Sequence, residues 1–196
     1  MNRLLLLALL WPLASACASP ARATDTTRAT QTSGLAAARL VPASGPERTY
    51  GDVLGSAPWT VLVFVSRGCP CLDAHKGRIG ELSNAYRARG VQFIAVDSEV
   101  GTTREGAAAS ARALGLPVML DPGAKIANAL EAEYATYSVL LDRKGRVVYR
   151  GGVDSDKRKL HDTATPYLRD ALDDVLAGTP PRRAEGKALG CMLRKW

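Results

Sequence analysis

The stretch WTVLVFVSRGCPCL, residues 59–72, decides the fold. Trp59, Val61, Leu62, Val63, Phe64 and Val65 form a continuous apolar run rich in β-branched side chains, the pattern of a strand covered on both faces. Ser66, Arg67 and Gly68 break the run. Pro70 suits the first position of a helix, where its missing N–H has no intrahelical partner to lose. Cys69 then falls at the helix N-cap and Cys71 just inside it. Unpaired N–H groups and the positive end of the helix dipole favour an anion there, so the Cys69 thiolate is stabilised. Thiols so placed titrate at about 3.5–7.5 rather than about 8.5. Arg67 adds a positive charge close by. A thiolate at neutral pH is a nucleophile and a soft metal ligand. The alternative, two cysteines that merely pack a core turn, fits poorly with their place between strand and helix.

Outward from this stretch, a helix is expected from Pro70 to about Arg89, with Leu72, Ile79, Leu82 and Tyr86 on one stripe and Gly90 beyond its end. Residues 91–97 read as the next strand. Thr102 or Thr103 caps a helix over about 104–114, ended by Gly115. Residues 117–120 form a short strand, and Asp121-Pro122-Gly123 a turn. A helix runs from Lys125 to about Glu133. Residues 138–141 and 147–150 make a hairpin around Asp142-Arg143-Lys144-Gly145. Thr165 and Pro166 start a last helix, to Ala177. Strands alternate with helices early and pair as a hairpin late. The fold class is therefore α/β: a central mixed sheet with helices on both faces, its early strands parallel through right-handed crossovers.

The flanks differ from this body. Residues 1–16 carry Arg3, an apolar core over Leu4–Leu10 with Trp11 and Leu13, and the small residues of Leu13-Ala14-Ser15-Ala16-Cys17, which read as a cleaved secretory signal too short to remain as a membrane helix. Cleavage before Cys17 fits an ordinary signal. It equally resembles a bacterial lipobox with Ala14 in place of Leu or Val, in which case Cys17 is lipidated and tethers the protein to a membrane by acyl chains. Residues 17–46, rich in Ala, Thr, Ser, Pro and Arg, read as a flexible linker, with one helical turn open to Leu35–Val41. Residues 47–178 make one domain of about 130 residues, and 179–196 a Pro- and Arg-rich tail that ends apolar and packs along the domain or docks a partner. The formal net charge of +7 is spread along the chain. Without a nucleic-acid motif it reads as solvated faces rather than a nucleic-acid interface. There is no phosphate-binding glycine loop and no Ser-His-Asp arrangement.

The strand ending in a cysteine turn, the β-α-β half and the closing β-β-α half resemble the thioredoxin fold. Phe64-Val65-Ser66-Arg67-Gly68-Cys69-Pro70, Leu120-Asp121-Pro122-Gly123, and the run from Val139 to Val147 are similar to bacterial redoxin-domain proteins of the peroxiredoxin and TlpA-like group. Ala188-Leu189-Gly190-Cys191 resembles a C-terminal Gly-Cys found in some of them. Three positions depart from the resemblance. Cys69-Pro70-Cys71 replaces Cys-x-x-Cys. Tyr137 stands where thioredoxins carry a cis-proline facing the cysteines, which puts thioredoxin-like substrate docking in doubt. Leu62 and Ser66 stand where peroxiredoxins carry Pro and Thr before the peroxidatic cysteine.

The chain has four cysteines. An exported protein meets oxidising conditions, and with Cys17 set aside three remain, so two pair and one is left over. The pairs open to them are 69–71, 69–191 and 71–191. Residues two apart on a helix point about 200° apart, so a 69–71 bond needs Cys69 outside helical geometry; it would be strained and easily reduced. Cys191 is either structural or the resolving thiol. His75 shares a helix face with Cys71. With Cys69 and Cys71, and Cys191 as a further ligand, it offers a Cu(I) site, against its reading as a packing or surface histidine. His161 reads as solvated, Asp73 as a helix-start carboxylate. Glu81 reads as a proton carrier under the cysteines or as a solvent-facing residue. The function expected first is an exported, periplasmic thiol–disulfide oxidoreductase that needs no cofactor: Cys69 attacks, Cys71 or Cys191 resolves, and protein thiols, protein disulfides or an upstream reductant are the partners. The alternatives are a peroxiredoxin-like antioxidant peroxidase, in which Cys69 becomes a sulfenic acid, a Cu(I) metallochaperone, and a redox-inert binding module.

Overall fold

A computed structural model of the protein describes residues 34–195. The signal reading of 1–16 and the fate of Cys17 lie outside the described residues. The elements in chain order are β1 Arg39–Pro42, β2 Arg48–Thr49, α1 Tyr50–Gly55, β3 Trp59–Val65, α2 Pro70–Arg87, β4 Val91–Asp97, α3 Arg104–Leu114, β5 Val118–Leu120, α4 Lys125–Ala129, β6 Ser138–Asp142, β7 Val147–Gly151 and α5 Tyr167–Leu176. They build one seven-stranded mixed sheet in the order β2-β1-β5-β4-β3-β6-β7. β3, β4 and β5 are parallel, and β6, β7, β1 and β2 join antiparallel. This is the α/β, thioredoxin-like arrangement that the strand and helix order implied.

The apolar run at 59–65 sits at the centre of the sheet, between β4 and β6, and every residue from Thr60 to Val65 is buried. That position explains why it lacks the alternation of a half-exposed strand. α2 begins at Pro70 and sends Leu72, Ile79, Leu82 and Tyr86 inward. Tyr86 Oη donates to Asp173 at 2.7 Å, which ties α2 to α5. α3 is capped by the Thr103 hydroxyl, which accepts from Gly106 N–H, and stops at Gly115 in the left-handed conformation.

Two expectations need correction. The linker drawn over 17–46 is too long: Arg39–Pro42 pairs with β5, and Leu40 and Val41 are buried. Only two side chains of this short strand, which lies between β2 and β5, are buried, too few to register as a period. The helix expected to reach Glu133 ends at Ala129, because Glu131 takes a positive φ of 57° that an α-helix does not hold.

Candidate active site

Gly68 turns the chain out of β3 with a φ of 69°, a conformation glycine adopts without steric cost. Cys69 follows in the extended conformation of an N-cap (φ −79°, ψ 112°), and Pro70 opens the helix. The parallel pairing ends on Val65 opposite Asp97, so Cys69 emerges at the carboxyl edge of the two central parallel strands. Cys69 and Cys71 are both buried, and Cys191 of the tail is half-buried. The three sulfurs lie within 4.8 Å of one another and all are free thiols. The sequence reading left the place of Cys191 open; the fold brings it to the other two.

The protons on these sulfurs are unequally held. Burial works against ionising Cys69. The Cys191 thiol and the N–H groups of Leu72, Cys191 and Cys71 outweigh it and hold the Cys69 pKa below the ordinary thiol value. The same contact with Cys69 pushes Cys191 up to about 11, with burial adding to it. Burial and the adjacent Cys69 charge raise Cys71. The cluster therefore favours a thiolate on Cys69 and a proton on Cys191.

His75 is fully engaged elsewhere. Its Nδ1 bonds the Cys71 carbonyl at 2.8 Å and its Nε2 bonds Asp154 Oδ1 at 3.1 Å. Asp154 also accepts from Arg78 at 2.6 Å, and Arg78 reaches Asp156 at 2.9 Å. Burial opposes charge on His75, but Asp154 raises its pKa overall. Thus His75 belongs to a buried ion-pair network that fixes the first turns of α2 against the loop after β7. The sulfur cluster contains Cys191 where the proposed copper site had His75. Glu81 is exposed, as is Asp73, and His161 bonds the Asp156 carboxylate at 2.9 Å.

The buried carboxyl beside the turn is Asp97, not Glu81. Its Oδ1 accepts the Glu99 N–H at 3.1 Å, and its Oδ2 is buried without a hydrogen-bond partner. Burial pushes its pKa up to about 6. Next to it, Glu99 accepts from the Ser66 hydroxyl at 2.8 Å and from Arg194 of the tail at 3.2 Å. Ser66 therefore directs its proton to Glu99. Nothing in the local sequence marked Asp97 or Glu99: Asp97 closes a strand read only for its apolar pattern, and Glu99 lies two residues beyond it.

The Tyr137 region is trans, as is every peptide bond among the described residues. The chain there turns through Thr136, whose φ of 68° is unusual for a β-branched residue. Thr136 N–H and Tyr137 C=O bond the backbone of Phe64, both at 2.8 Å, extending the β3–β6 pairing toward the cysteines.

The redoxin family model matches residues 52–166, more than half of the chain. The chain belongs to the redoxin family. Its structure is similar to an uncharacterised conserved protein from Geobacillus kaustophilus (TM-score 0.71, 28% identity, 81% of this chain and 87% of that one). It is also similar to a hypothetical protein from Sinorhizobium meliloti (TM-score 0.70, 25% identity, 80% and 89%). A cysteine-to-serine mutant of PrxQ from Xylella fastidiosa shares the fold (TM-score 0.53, 14% identity, 74% and 89%). No curated protein matches the chain. The redoxin assignment and the clustered cysteines together give the protein a thiol redox function.

Proposed function

We propose that this redoxin is an exported thiol–disulfide oxidoreductase in which Cys69 attacks and Cys191 resolves. The observation that carries the reading is the placement of the Cys191 sulfur within 4.8 Å of the Cys69 sulfur, where its thiol favours the Cys69 thiolate. Cys69 thiolate attacks one sulfur of a partner disulfide, an S–S bond forms between them, and the partner's second sulfur leaves as a thiolate that takes up a proton. Cys191 then loses its proton and attacks Cys69, forming the 69–191 disulfide and releasing the partner's first sulfur. The partner gains two electrons and the Cys69–Cys191 pair supplies them. A dithiol reductant restores the pair. Export, with a periplasmic location, rests on residues 1–16, and a membrane tether on Cys17.

Peptide mapping after one turnover with a peptide disulfide tests the reading. Wild type is expected to show a 69–191 bond, Cys191→Ser to trap the partner on Cys69, and Cys71→Ser to turn over. Trapping by Cys71→Ser with normal turnover by Cys191→Ser would overturn it.

A second reading is supported by the three sulfurs within 4.8 Å: three soft thiolates suit Cu(I). Metal bound there would occupy Cys69 and block the redox step. The peroxidase reading has less support, because Leu62 is buried in β3 and the Ser66 hydroxyl is committed to Glu99.

A further inference from the structure

Cys69 is 2% exposed, yet it has to meet a partner's sulfur. The tail lies against it as an extended chain. Arg150 N–H bonds the Ala184 carbonyl at 3.0 Å, and Gly186 N–H bonds the Arg150 carbonyl at 2.9 Å, so the tail first runs along the edge of β7. It then crosses to the segment before Tyr137. There Ala135 N–H bonds the Cys191 carbonyl at 2.8 Å, Leu193 N–H bonds the Glu133 carbonyl at 2.9 Å, and Tyr134 and Met192 form an antiparallel bridge. Beyond the bridge, Val100 N–H bonds the Arg194 carbonyl at 2.8 Å, and the Arg194 side chain reaches Glu99.

Side chains alternate along this segment as on an added strand: Cys191 turns to the cysteines, Met192 is exposed, and Leu193 is buried. Gly190 is required by packing, since a Cβ there would overlap the Ala135 carbonyl. An extended chain held by main-chain bonds, with alternate side chains in pockets, is how proteins take up peptide strands.

We propose that residues 190–194 are a tethered copy of the partner, seated where the partner presents its own sulfur. Resting on the reading of Cys69 as the attacking thiol, this names the substrate class: an extended protein segment carrying a disulfide-bonded cysteine, with glycine before the cysteine and an apolar residue two places after it. The tail leaves for such a segment to enter. Cys69 forms its S–S bond to the segment's cysteine, whose former partner sulfur departs as thiolate and is protonated. The tail then reclaims the seat, so the Cys191 attack that releases the segment's sulfur and the physical displacement of the segment are one event.

The test uses the full-length reduced chain and two nonapeptides with the sequence of residues 187–195. In both, the cysteine is disulfide-bonded to thionitrobenzoate; one has valine in place of the glycine before it. Release of thionitrobenzoate in a single turnover reports attack by Cys69. The Gly peptide is expected to react about tenfold faster than the Val peptide, the size of discrimination a shaped pocket gives. Gly190→Val, which unseats the tail, is expected to speed attack on the Gly peptide about tenfold relative to attack on a small disulfide, as loss of two competing backbone bonds implies; the ratio cancels the change in Cys69 ionisation that follows loss of the Cys191 contact. Arg194→Ala loosens the tail at its exposed end, at the cost of the Glu99 ion pair, so it gives the same sign if Gly190→Val fails to fold. Dithiobis(nitrobenzoate), a small disulfide with no backbone to dock and the same readout, should gain less than the peptide in both variants. Equal rates for the two peptides, or equal change for peptide and small disulfide, would overturn the proposal and leave a tail that only covers the site. Undiminished release by Cys69→Ser would instead overturn the assignment of the attacking thiol.

Discussion

The Asp97 carboxyl is the group whose titration the structure perturbs most plainly beside the site. It titrates near 6 in the fold against an ordinary 3.8. Its Oδ2 is buried without a hydrogen-bond partner, and the charged groups that act on it are Glu99, which raises its pKa, and the guanidinium groups of Arg67 and Arg194, which lower it. Between pH 3.8 and 6 the folded chain holds a proton on Asp97 that the unfolded chain has lost. Stability therefore falls as pH rises through that window, the reverse of a salt-bridged carboxylate. At about 1.4 kcal/mol per tenfold in acidity, ionised Asp97 costs the fold about 3 kcal/mol at pH 7 relative to its neutral form. Asp97→Asn removes the titration but keeps an oxygen for the Glu99 N–H. An amide nitrogen in place of Oδ2 carries its own burial cost, but that cost is independent of pH and only offsets the curve. Urea unfolding of both proteins at pH 4, 5, 6 and 7 gives the stability of wild type minus that of Asp97→Asn. That difference should drop by about 2 kcal/mol from pH 4 to pH 7, since the unfolded carboxyl is already more than half ionised at pH 4, with groups remote from Asp97 cancelling. A difference that stays flat would refute the reasoning and mean that Asp97 titrates as an ordinary carboxyl.

Cys191→Ala removes the thiol donor to Cys69, so alkylation of Cys69 should reach half its limiting rate at a higher pH than in wild type; an unchanged midpoint would show that the helix tip alone ionises it. Cys69→Ser should move the Cys191 midpoint down from about 11, followed by mass spectrometry of alkylated tail peptides. Asp154→Ala strands the buried His75 and the Arg78 guanidinium, and a loss of about 3–5 kcal/mol in urea unfolding is expected. Anaerobic Cu(I) loading near one equivalent should survive His75→Gln and fail in Cys191→Ser, since His75 lies in the Asp154 network and Cys191 in the sulfur cluster.

The central strand, the helix start at Pro70 and the Cys69 N-cap were legible because each follows from local chemistry: a buried β-branched run, a proline without N–H, and a glycine at positive φ. The strand order followed from connection rules that act over a few tens of residues. What the sequence did not reveal depends on distance in the chain. Cys191 lies far from Cys69 in sequence, and the two hydrogen bonds that seat it join backbone atoms of Ala135 and Glu133 that no side-chain pattern reports. His75 was legible as a neighbour of Cys71 but not as a partner of Asp154, which comes from the loop after β7. β1 was lost inside a stretch of Ala, Ser and Pro because only Leu40 and Val41 commit it to the core. Asp97 is the clearest case: an acidic residue ending an apolar strand normally marks an exit to solvent, and only the tail and the Glu99 turn close over it.

The way the proton is shared between Cys69 and Cys191 sets the order of events as well as the starting state. While Cys69 is an anion, its contact with the Cys191 thiol is the largest cause raising the Cys191 pKa, so the resolving sulfur is a poor nucleophile. Once Cys69 has joined a partner in a mixed disulfide its charge is gone and it no longer accepts that proton with the same strength. The chief restraint on Cys191 is then removed, and burial is the main cause that still holds its proton. In the proposed scheme Cys191 is thus more readily deprotonated after Cys69 has reacted than before. On the proposed roles, placing the resolving thiol on a tail instead of on α2 would let the same segment retreat for the first step and return for the second, which Cys71, fixed in the first turn of α2, has no freedom to do.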